Sequence, residues 1–232
     1  MTLRSSSTTQ SETASLEEEL NDLPLDPEFS DRRFDRVYDE QIRDLSKVHW
    51  TPVRIARRAA ELLSGGSDSK ILDVGSGPGK FCLVGALSTD AQFIGIERRK
   101  KLSDLSNQIA KRFKISRAKF IHGDATDLDW GDFDAFYLYN PFYENISDPI
   151  RFEPLVELSQ DRYQKYVTMT ESKLRNMPPG TRVVTYHGFG GELSPAYRLA
   201  REERFRTGTL QLWVRQGKHP QMEQPMVIWE EE

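Results

Sequence analysis

From Lys70 onward the chain alternates between short apolar runs and longer runs of helical period, and few folds accommodate that rhythm. KILDVGS, AQFIGIE, AKFIHGD, DFDAFYLYN and TRVVTYHGF read as five strands, while KFCLVGALS, KKLSDLSNQIAKRF and the later part of 148–176 read as helices between them. Strands joined through helices lie parallel, with the helices covering both faces of the sheet. The expected fold is therefore α/β. Residues 197–217, YRLAREERFRTGTLQLWVRQG, break the rhythm: two β-rich runs joined at Thr207-Gly208 predict a C-terminal antiparallel hairpin at the sheet edge.

Two helices are expected ahead of the first strand. Phe34, Val37, Tyr38, Ile42 and Leu45 recur at helical spacing over 32–47, and VRIARRAAELL runs to a stop at Gly65-Gly66, with Thr51 as cap and Pro52 in the first helical position. The expected division is a disordered acidic tail over 1–31, N-terminal helices over 32–66, a main domain over 67–218 and a tail over 219–232, in which MVIW stays unassigned. A chain of 232 residues carries one such domain with a proper core.

Charge separates the tail from the body. Residues 1–31 hold eight acids against Arg4, a net of −7, so the remainder carries +3 of the chain's −4. That balance lacks the strong positive bias of a protein whose affinity comes mainly from phosphate contacts. The sequence shows no signal-peptide core and no apolar run long enough to span a membrane, so a cytoplasmic location is expected. Cys82 stands in an apolar run and reads as a small buried residue, and the four histidines have no metal-ligand spacing, so no metal is expected.

The first strand ends in ILDVGSGPGKF, residues 71–81, with glycines at 75, 77 and 79. A turn between strand and helix at the carboxyl edge of such a sheet is where α/β folds bind ligands. The dinucleotide fingerprint fails because its third glycine position is Lys80, and a phosphate loop fails because no GK[ST] follows. The stretch resembles motif I of the Rossmann-like, class I, S-adenosylmethionine-dependent methyltransferases. That resemblance implies S-adenosyl-L-methionine as cofactor, with Gly75, Ser76, Gly77 and Gly79 against its methionine half and Asp73 accepting from its ammonium group. It also implies Glu97, with Arg98 beside it, at the ribose, and Asp124 with the Ala125 amide at the adenine.

The fourth strand runs into Asn140-Pro141-Phe142-Tyr143, which resembles the [DNS]-P-P-[FYW] motif of enzymes that methylate nitrogen, with Phe142 in place of the second proline. The resemblance implies that these residues face the methyl group and orient an amine, and that Asn140 also borders the cofactor. HWTP at 49–52 reads two ways, as a helix cap or as a flap whose Trp50 and Thr51 reach the methionine end. ERRKKL after the second strand, together with Asn140, is similar to non-SET histone-lysine methyltransferases and their bacterial relatives. A nitrogen of a protein or small-molecule acceptor is thus expected. The alternatives are a nucleic-acid base, suggested by the basic residues from Arg98 to Lys119, and a non-catalytic protein that binds the cofactor.

Overall fold

The computed structural model describes Glu18 and residues 30–43, 50–142, 159–217 and 226–229. Its eight strands are β1 (Lys70–Val74), β2 (Gln92–Glu97), β3 (Ala118–His122), β4 (Ala135–Leu138), β5 (Arg182–Tyr186), β6 (Tyr197–Phe205), β7 (Gly208–Arg215) and β8 (Met226–Trp229). They form one sheet in the order β3-β2-β1-β4-β5-β7-β6-β8. The first five are parallel, and β7 runs antiparallel between β5 and β6. This is the Rossmann-like arrangement expected. The hairpin's place differs from the expectation, because β8 pairs parallel with β6 and takes the edge. MVIW thus belongs to the sheet rather than to a tail.

Alternate residues of the inner parallel strands enter different cores, as the two-residue period of a strand dictates, while edge strand β3 buries only the Ala118 and Phe120 face. Ile71, Phe93, Tyr137 and Val184 pack under helices α3 (Val53–Leu63), α4 (Lys80–Ser88) and α5 (Lys100–Arg112). Leu72, Ile96, Phe136 and Val183 pack under Trp130 and helix α6 (Gln160–Arg175). The chain proceeds outward through β1, β2 and β3, then returns to β4 beside β1. The reversal opens a crevice at the carboxyl ends of β1 and β4.

The N-terminal segment departs from one continuous helix over 32–47. Helix α1 (Asp31–Phe34) tightens into a 3-10 turn (Asp35–Val37), Tyr38 is extended, and helix α2 covers Glu40–Arg43. Tertiary contacts explain the break. Phe34, Val37 and Tyr38 are buried, the Tyr38 hydroxyl donates to the Pro78 carbonyl at 3.2 Å, and the buried Lys80 ammonium lies 2.6 Å from Asp31 Oδ1 and 2.7 Å from Asp35 Oδ1. Residues 44–47 of the expected helix lie outside the described residues.

Asp31 is therefore part of the folded body, and it has a second task. Its Oδ1 accepts from the Val53 amide at 2.8 Å, capping α3 from a distant stretch of chain. Thr51 is not the cap, since its hydroxyl shares a 2.8 Å hydrogen bond with the Tyr137 hydroxyl, and Pro52 precedes the helix. Among the described residues no helix is long and apolar enough to cross a membrane.

Candidate active site

The turn after β1 is fastened to β2. The Gly75 and Ser76 amides both donate to the Ile96 carbonyl at 3.0 Å, and the Gly77 amide donates to Glu97 Oε2 at 3.0 Å. A side chain on Gly75 would press on Pro141 Cβ at 3.2 Å, and one on Gly79 would meet Phe120 at 2.5 Å. Those two are bare for packing. Gly77, at φ +54, has nothing within 4 Å of its missing Cβ, so there the backbone faces open space a ligand can use.

Glu97 ends β2 and is almost wholly buried at 2% exposure. Besides Gly77 it accepts from the Arg99 amide at 2.8 Å and from Arg99 Nε at 2.7 Å. Asp124, beyond β3, accepts from the Thr126 amide and hydroxyl, both at 2.8 Å, and from the Tyr166 hydroxyl. Burial raises its carboxyl, but the Tyr166 and Thr126 hydrogen bonds outweigh burial and hold it below the ordinary range. Arg98, whose charge acts in the same direction, lines the cavity with it.

Between these carboxylates is a cavity of about 40 Å³, lined by Gly75, Glu97, Arg99, Asp124, Phe142 and Tyr166 with their neighbours. Such a volume holds about one water molecule, far less than a nucleoside. The Phe142 and Tyr166 rings line it, stacked 5.0 Å apart at 11°. Carboxylates suited to ribose hydroxyls and an adenine amino group, beside a bare backbone turn, fit the adenosine portion of S-adenosylmethionine.

The cavity gathers Gly75, Glu97, Arg98, Asp124, Ala125, Pro141 and Phe142 of the residues expected from sequence, and among the described residues does not include the others. Trp50 packs on Tyr38 at 4.7 Å under the Lys80 cation, and Thr51 is buried against Tyr137. Asn140 has φ +42 and donates its amide to the Gly188 carbonyl at 2.8 Å. Tyr143 lies outside the described residues. Arg99 and Tyr166 escaped the sequence reading. No motif marks Tyr166; its signal was the spacing of Tyr163, Tyr166, Val167, Thr170 and Leu174 along one helix face.

Asp73 sits on β1, where the Cys82 thiol donates to its Oδ2 at 3.6 Å. Burial pushes its carboxyl up to about 7, the thiol hydrogen bond opposes this, and the Glu97 charge adds to it. The unfolded chain releases this proton near pH 4 and the empty fold keeps it to about 7, so the residue's contribution to stability falls as pH rises across that interval. Urea unfolding from acid to neutral pH is expected to show wild type losing stability relative to Asp73→Asn. Parallel curves would place the proton elsewhere.

Residues 66–149 match a family model described as a methyltransferase domain. No curated protein matches the sequence. Among solved structures, an RNA methyltransferase from Salinibacter ruber in complex with S-adenosyl-L-homocysteine aligns with a TM-score of 0.53 and 20% identity, over 75% of this chain and 97% of that one. TrmN from Thermus thermophilus aligns with a TM-score of 0.51 and 17% identity, over 71% of this chain and 49% of that one. These likenesses bear on the fold. Taken with the strand order and the glycine turn, the family match identifies residues 66–149 as a Rossmann-like, class I methyltransferase domain, of the kind that uses S-adenosylmethionine.

Proposed function

We propose that the protein transfers a methyl group to a nitrogen, either of a protein side chain resembling lysine or of a small molecule. The observation that carries this reading is the Asn140-Pro141 step at the exit of β4. Asn140 has a positive φ and its backbone N–H donates a hydrogen bond to the Gly188 carbonyl, and Pro141 lies against Gly75 at the edge of the nucleoside cavity. Such strain persists only where surrounding contacts enforce it, and it concentrates at functional sites.

S-adenosylmethionine supplies, when bound, a methyl group on sulfur that is open to in-line displacement. The chain's work is then alignment and exclusion of water rather than covalent catalysis. The Asn140 side-chain oxygen and the backbone beside Pro141 would orient an amine by accepting its hydrogens, with the Phe142 ring as a wall. Glu97 and Asp124 would hold ribose and adenine, Gly77 would face the ligand with its backbone, and Asp73 would meet the ammonium group. We assign this work to the main domain over 67–218. The lone buried Cys82 suits a reducing compartment such as the cytoplasm.

A second reading has a specific point in its favour, since the Salinibacter protein is an RNA methyltransferase. Against it, several bases between 98 and 119 already have partners here. Arg99 is engaged by Glu97, Lys100 by Asp104, and Arg117 by the Ala86 carbonyl. Incubation with tritiated S-adenosylmethionine and a fractionated cell extract tests the choice. Label in protein or small amines supports the proposal, label in RNA favours the second reading, and no turnover leaves a binding protein. Asn140→Ala is expected to reduce label transfer roughly 100-fold while affinity for S-adenosylhomocysteine stays within about threefold. Retained transfer would remove Asn140 from the site.

A further inference from the structure

The nucleoside cavity lies to one side of the β4 exit, over the ends of β1, β2 and β3. On the other side is a wider cavity of about 550 Å³, lined by His187, Gly188, Glu202, Arg204, Gly208, Thr209 and Gln211. The strand order accounts for it. Antiparallel β7 begins at the sheet edge where β4 and β5 end, so the hairpin tip stands beside the β5 exit. The Asn140 amide, bonded to the Gly188 carbonyl, ties the two regions together.

His187 is held at their boundary. Its backbone has φ +59, one of three such non-glycine residues among those described, Asn140 being another. Its ring lies 4.4 Å from that of Tyr186 and 5.7 Å from that of Tyr139. Across the hairpin, Gly208 is bare where a Cβ would come within 2.5 Å of His187 Cε1 and Nε2. The residue is nonetheless exposed toward the cavity. A strained backbone and a seat cleared by a glycine aim one imidazole at the cavity.

We propose, building on the reading of the protein as a nitrogen methyltransferase, that this second cavity receives an amine acceptor and that His187 removes the proton the amine must lose. An ammonium group has a pKa of about 10.4 and no lone pair at neutral pH, so deprotonation precedes attack. Imidazole is the side chain that exchanges protons there. The proton passes from the acceptor nitrogen to an imidazole nitrogen. The freed lone pair forms the bond to the methyl carbon while the carbon–sulfur bond breaks and its electron pair stays on sulfur. The imidazolium then returns its proton to solvent.

The groups around His187 suit an amine. Burial first, and then the neighbouring Tyr186 phenol, raises Tyr139, which does not compete for the proton near neutrality. Glu202 has its carboxyl held below the ordinary range by hydrogen bonds from Gln211 and then Arg204, so it meets the acceptor as an anion, with the Arg204 cation bonded to it. The Glu202 carboxylate, which lines the same cavity as His187, attracts an ammonium group.

The test uses His187→Asn in the full chain, because asparagine tolerates the left-handed backbone and cannot take up the proton. With tritiated S-adenosylmethionine and extract, the variant is expected to label the protein or amine fraction at least about tenfold more slowly than wild type near pH 7, with the gap narrowing near about pH 9.5 as amines lose the proton unaided. Calorimetric affinity for S-adenosylhomocysteine is expected to stay unchanged, which also shows that the variant folds. Equal labelling by the variant, a deficit independent of pH, or a parallel loss of affinity would overturn the assignment of His187 alone. Wild-type label confined to RNA would overturn the amine, and wild-type protein that transfers nothing would overturn the nitrogen methyltransferase reading as well.

Discussion

Replacing Glu97 by alanine is expected to weaken S-adenosylhomocysteine binding about 100-fold, or about 2.7 kcal/mol. A carboxylate accepting two ribose hydroxyls gains about 1.5–3 kcal/mol from each charged hydrogen bond. Part of that gain is offset, because in the empty protein the same oxygens accept from Gly77 and Arg99 and must exchange partners. Glu97→Gln keeps one acceptor and is expected to lose about tenfold. Isothermal calorimetry measures both, with urea unfolding to show that the turn survives. An alanine variant binding within about threefold of wild type would remove Glu97 from the cofactor site.

The largest effect on stability is expected at Glu203, which lines neither cavity. Its carboxylate is fully buried on β6 and accepts from Arg58 Nε at 3.0 and 2.9 Å and from Arg58 Nη2 at 2.8 Å, with Arg201 Nε paired to it as well. The bond joins α3 to the hairpin. Removing one partner of a buried ion pair costs about 3–5 kcal/mol, and since both guanidinium groups are about a quarter exposed, Glu203→Ala belongs near 3 kcal/mol. Burial raises the Glu203 carboxyl, but Arg58 and Arg201 together bring it below the ordinary range. Its contribution is therefore present above the unfolded-state value and is lost as pH falls, opposite in sign to that of Asp73. A loss under about 1 kcal/mol in urea unfolding would mean that water replaces the carboxylate.

The parts of the fold that could be read from sequence were those set by local pattern. Apolar runs and helical periods gave the five parallel strands and their crossovers, because burial on both sheet faces imposes continuous apolar sequence. The glycine turn could be read because only glycine takes its backbone angles and close contacts. The rest depends on residues far apart in the chain. Thr51 resembles a cap locally, yet Asp31 does the capping from 22 residues away, and Tyr38 leaves the helix because Pro78 and Trp50 hold it. MVIW is too short to announce a strand until β6 offers it an edge. Tyr166 reaches Asp124 only once α6 has docked on the core of Trp130, Phe136 and Val183.

Arg99, Gly77, Thr126 and Tyr166 already satisfy the carboxylates we assign to sugar and base. An entering nucleoside must therefore replace bonds the protein makes with itself. A 2′-deoxy or 6-deaminated analogue would open those bonds and return fewer. Selectivity for the complete cofactor thus comes from what the empty protein would leave unmatched, as well as from what it would grip.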